Sequence, residues 1–137
     1  MKKTVVALSL VFLLVSTHLA FGAATQMPNL LGTWTGKTTQ VGNTTQVEVT
    51  LILTAAVPAS IPNKAFSGTL TIGTETINVI AKNTREYYKV EIVPVDSQVP
   101  LSVGAALAWL PGPMLMVHGL GYQNTPYKAF ILKKTTL

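Results

Sequence analysis

His118 is the side chain best placed for acid–base or metal chemistry, because an unperturbed imidazole titrates near neutral pH. It sits in Met116-Val117-His118-Gly119, and the other histidine, His18, belongs to an N-terminal apolar run. A zinc site needs two or three further nitrogen, sulfur or carboxylate ligands, and the chain has no cysteine. General-base work needs a carboxylate or nucleophile alongside. Ser60, Ser67, Ser97, Ser102 and Asp96 are available, yet no spacing gathers them. His118 therefore reads as a structural, hydrogen-bonded histidine, and neither a metal nor a cofactor is expected.

The five carboxylates, Glu48, Glu75, Glu86, Glu91 and Asp96, fall on polar sides of alternating segments or in turns. Paired-acid glycoside chemistry requires two of them to meet in a cleft, and nothing in their spacing does so. They read as solvated surface charge. With so thin a polar inventory the chain is not expected to be an enzyme. The larger aromatics, Trp34, Phe66, Tyr88, Trp109 and Phe130, lie on or near apolar faces. Two uses are open to them: filling a small barrel, or lining a cup for a small apolar ligand.

The elements that must position these residues begin behind a leader. Lys2 and Lys3 precede an apolar run from Val5 to Leu19, and the small residues around Gly22 form a signal-peptidase site. Residues 1–22 are expected to be a signal peptide, with residues 23–137 as one exported domain, periplasmic or extracellular in a bacterium. No membrane span is expected once the leader is gone. Without cysteine there is no disulfide, so packing and strand pairing must hold the fold. Removing the leader leaves eight basic against five acidic residues, a net charge of about +3. The basic residues are scattered rather than clustered among aromatics, which speaks against nucleic-acid binding.

Along residues 23–137 the apolar period is two, the signature of strands with one wet face. Strands are expected at 32–39, 45–54, 65–72, 75–82, 87–93, 101–110, 114–120 and 127–134. Gly and Asn turns, and loops carrying Pro58, Pro62, Pro94 and Pro100, separate them. The segment 101–110 also admits a short helix, since Gly104 to Trp109 is alanine-rich. The set is all-β: about eight antiparallel strands in an up-and-down barrel, with a small β-sandwich as the alternative.

Leu31-Gly32-Thr33-Trp34 resembles the first-strand Gly-x-Trp signature of the calycin-type barrels, the lipocalins and avidin-like proteins. Phe66-Ser67-Gly68-Thr69 and Ala129-Phe130-Ile131-Leu132 are further echoes of the avidin side. The resemblance implies a barrel whose open end holds a small ligand, often within an oligomer. It does not carry biotin with it. The avidin pattern has Asn two residues after the tryptophan, Ser a few further on and a final-strand Trp; here stand Gly36, Gln40 and Phe130.

The most unusual stretch is 101–120, apolar on both faces around Pro111-Gly112-Pro113. As a hairpin it offers one face to the core and leaves the other apolar, with Gly104, Ala106 and Ala108 permitting close approach. Pairing across a three-residue tip would set Leu110 opposite Met114 and Ala108 opposite Met116. Large apolar patches usually mark contact surfaces, so Leu110, Met114 and Met116 are expected at a subunit or partner interface, with burial under the protein's own loops or membrane contact as the alternatives. Two functions follow: a small binding protein with an apolar ligand at the barrel's open end, or a filled barrel that binds protein partners through the 101–120 hairpin.

Overall fold

Alternation of apolar and polar side chains produces nine strands in the computed structural model, which describes residues 29–58, 60, 64–84, 88–109 and 112–136. They are β1 (Gly32–Thr39), β2 (Gln46–Ala56), β3 (Ala65–Ile72), β4 (Glu75–Asn83), β5 (Lys89–Pro94), β6 (Leu101–Ala108), β7 (Met114–Tyr122), β8 (Thr125–Tyr127) and β9 (Phe130–Thr136). Each strand from β1 to β7 pairs antiparallel with the next. β9 then pairs with both β7 and β1. The result is a closed eight-stranded antiparallel barrel with β8 as an extra short strand. Closure removes the unpaired edges that an open sheet would expose.

Segment 101–108 is strand, not helix, because its inward residues Val103, Ala105 and Leu107 alternate with outward ones in register with β7. The hairpin register differs from the sequence expectation by two residues: Ala108 faces Met114 and Ala106 faces Met116. Its connection spans residues 109–113 rather than three residues, and a slip of two leaves each side chain on its expected face. The last strand divides where Lys128 and Ala129 leave the ladder. There Thr38 Oγ1 donates to the Lys128 carbonyl at 2.7 Å. Between β7 and β8, Gln123 and Asn124 both have positive φ, 50° and 62°, as a two-residue hairpin with the native twist requires.

The interior is apolar. Trp34, Leu51, Phe66, Leu70, Val79, Ile92, Leu115 and Leu132 belong to one continuous buried cluster. Gly68 faces inward opposite the irregularity in β2, so close to the Ile52 carbonyl that a Cβ there would strike backbone. The outer wall over β1–β4 carries Thr35, Lys37, Glu48, Thr50, Thr71 and Lys82. Over β1–β4 an apolar inside and a polar outside is the reverse of the transmembrane barrel pattern.

The barrel has two unlike ends. The rim where β1 begins also holds the 57–64, 84–88 and 109–113 links. The opposite rim holds the links 40–45, 73–74, 95–100 and 123–124. Leu30, fully buried, and Trp34 close the first rim; the indole Nε1 donates to the Leu30 carbonyl at 3.0 Å.

Candidate functional site

The five aromatics do not converge on a cup. Trp34 and Phe66 are each 1% exposed and belong to the core. Tyr88 is 53% exposed and Trp109 49% exposed, both in links at the first rim rather than on an inner face. Tyr88 precedes β5, and its carbonyl accepts from the Leu107 amide at 2.6 Å. Phe130 opens β9, part-buried against the core. Alternation alone carried the expected fifth strand back through Tyr88; the ladder starts at Lys89, and Tyr88 lies in the turn.

The histidine and the carboxylates weighed for chemistry are likewise dispersed. His118 lies outside, at the irregularity of β7 against β6, with its ring over Gly104. It lines a cleft of about 440 Å³ with Lys37, Met116, Ala129, Phe130 and Ile131. Asp96 lines a different cleft, of about 310 Å³, with Thr76, Asn78, Val99 and Tyr122, and its Oδ1 accepts from the Gln98 amide at 3.0 Å. Glu48 stands 4.0 Å from Lys37 Nζ on the exposed wall. Among the described residues no three His, Asp or Glu side chains gather as metal ligands.

The second rim carries a polar pairing that sequence reading missed. Glu75 opens β4 on the inward-facing parity, and Tyr122 closes β7 on the same side. The Tyr122 hydroxyl donates to the Glu75 carboxylate and accepts from Gln123 Nε2 at 3.2 Å. Loss of solvent first, then that hydrogen bond, then the negative charge of Glu75 raise the Tyr122 pKa above its ordinary 10.0. No sequence spacing announces this pair, which only the tertiary pairing of distant strands assembles.

The feature that does gather expected residues is the outer wall of β6, β7 and β9. Row by row, Ala106 pairs with Met116 and Met116 with Ile131, while Ala108 pairs with Met114 and Met114 with Lys133. Met116 is 49% and Ile131 43% exposed. A second cleft of about 440 Å³ runs beside them, lined by Gly112, Pro113, Met114, Ile131, Lys133 and Lys134. Lys37, Lys89, Glu91 and Lys133 frame the wall on neighbouring positions. Of the expected interface residues, Met114 and Met116 lie here, and Leu110 lies outside the described residues. Ile131 joins them; the unbroken run Phe130-Ile131-Leu132 was its signal, since a strand with one wet face should alternate.

Lys134 is the cation nearest the core. Its Nζ sits 5.4 Å from the Trp34 ring centroid, and partial burial lowers its pKa from the ordinary lysine range. The expected signal peptide, residues 1–22, lies outside the described residues. No family model matches the chain, and no curated protein or solved structure matches it either.

Proposed function

We propose that the protein is a binding module that works through its outside, associating with a second copy of itself across the β6–β7–β9 wall. The observation that carries this reading is the wall itself: exposed Met116 and Ile131 beside a file of small residues, over a packed interior. Trp34, Phe66 and their neighbours occupy the space an apolar cup would need. The packed interior thus favours the partner-binding expectation over the small-ligand one. We carry the resemblance to lipocalin and avidin-like barrels no further than topology.

The wall is shaped to meet itself. Ala106 and Ala108 form a low file on β6, and Met114 and Met116 a raised file beside it on β7. A two-fold axis between these strands lays the methionines of each copy into the low file of the other, the isologous arrangement of closed dimers. The charged frame then falls at the polar rim, as in ordinary interfaces.

Light scattering with native mass spectrometry, on protein recovered from its own host, tests this directly. A dimer at micromolar concentration is expected, reduced to monomer by Met116→Lys with the strand content by circular dichroism unchanged. A monomer at every concentration up to about 1 mM, where binding is weaker than about 4 kcal/mol, would sink the reading.

A further inference from the structure

The two rims differ in charge as well as in their links. Lys64 precedes β3, Lys82 nearly ends β4, Lys89 begins β5, and Lys134 lies in the second half of β9. All four therefore belong to the first rim, where Lys134 N donates to the Pro113 carbonyl at 3.2 Å. Glu91, Cα partner of Lys82, is the acidic residue the strands place nearest them. Glu48, Glu75 and Asp96 lie toward the opposite rim, with Lys37 and Lys128. Arg85 and Glu86, in the 84–88 link, offset one another in charge and lie outside the described residues.

The lysine-rich rim also carries the exposed large aromatics of the described residues, Tyr88 and Trp109, with Val57 exposed in the next link. Tryptophan and tyrosine favour the headgroup level of a bilayer, where an apolar ring body and a polar tip are both satisfied. Lysines beside them add attraction to anionic lipid, and their alkyl stems lie along apolar surface with the ammonium outward. We propose that this rim docks the barrel, end on, onto a membrane surface rich in anionic phospholipid. The occupant is a bilayer and not a soluble polyanion because the exposed indole and phenol share the rim with the charge. Docking end on leaves the β6–β7–β9 wall running away from the membrane, available to a second copy.

The test uses protein recovered from its host, its N-terminus fixed by mass, and vesicles of phosphatidylcholine with or without phosphatidylglycerol. Flotation should recover the protein with phosphatidylglycerol vesicles only, with binding weakened at least tenfold between about 0.05 M and about 0.5 M salt as screening shortens. Each surface lysine near an anionic leaflet contributes about a fivefold factor, so Lys64→Gln, Lys82→Gln and Lys89→Gln together should weaken binding on the order of a hundredfold. Lys128→Gln, at the other rim, should leave it unchanged. Trp109→Ser should weaken vesicle binding but not retention on heparin. Equal binding to neutral vesicles, salt-insensitive binding, or a Trp109→Ser variant indistinguishable from wild type would each overturn the proposal. Met116→Lys should bind vesicles as before per barrel, so failure here and failure of the dimer are read separately.

Discussion

Trp34 offers the most direct test of how the barrel is closed. Its indole is 1% exposed and donates at 3.0 Å to the carbonyl of the fully buried Leu30. Phenylalanine at this position keeps a ring and removes the donor, so a buried carbonyl loses its partner, which costs about 1–3 kcal/mol. The smaller ring also leaves unfilled space, adding about 1 kcal/mol. Lys134 still finds an aromatic face, so that contact changes little. The total is roughly 2–4 kcal/mol out of the ~5–15 kcal/mol of a typical domain. Urea denaturation should show a lower midpoint with unchanged slope, and Tm should fall on the order of 10 °C. Trp109→Phe is the matched control: at 49% exposure it should cost less than about 0.5 kcal/mol, and it leaves Trp34 as the sole tryptophan, emitting as a buried indole. A Trp34→Phe loss below about 0.5 kcal/mol would refute the plugged rim.

Two glycines should behave oppositely on substitution by alanine. Gly68→Ala drives a Cβ into the Ile52 carbonyl and toward Leu53 Cα at 2.9 Å, so backbone must move, and a loss of about 1–3 kcal/mol or more is expected in urea melts. Gly104→Ala meets the His118 ring at 2.6 Å, which can rotate away, so stability should change by less than about 0.5 kcal/mol. At alkaline pH, the folded state holds the Tyr122 proton more tightly than the unfolded chain. The stability from Tyr122 is whole below pH 10.0 and lost as pH rises through the raised folded value. Thermal melts from about pH 9 to about pH 11 should therefore fall more steeply for wild type than for Tyr122→Phe.

The strands were legible because a half-buried sheet writes its period into the chain. Val47, Val49, Leu51 and Leu53 alternate with polar residues, and β1 and β3 begin and end where the pattern does. What was not legible depended on pairing. The register of the 101–120 hairpin turned on the length of its connection, and the split between β8 and β9 on a bond from Thr38 to a carbonyl 90 residues away. Tyr88 was assigned inward because a period of two continues past a strand's end as easily as within it. The two-faced apolar stretch is readable as an anomaly and points to Met114 and Met116, which lie on the outer wall. Ile131 shares that wall, and the unbroken run Phe130-Ile131-Leu132 is an anomaly of the same kind. The Glu75–Tyr122 pair left no trace in sequence, since its members lie on strands that meet only across the rim.

The pairing of Thr33 with Thr136 sets residue 136 beside the strand that opens the barrel. A short peptide bridge between them would make the chain circular, and the loop could then be cut at Gly73-Thr74 or Gln123-Asn124. Every ladder in the finished molecule would survive such a cut. What would change is the order of assembly, because the β1–β9 pairing now joins residues about 100 apart in sequence, and in the recut chain it becomes a hairpin. A permutant opened at Asn124 should thus reach the same barrel at a different rate. Which strands count as first and last is a property of the chain's history, not of the ring they form.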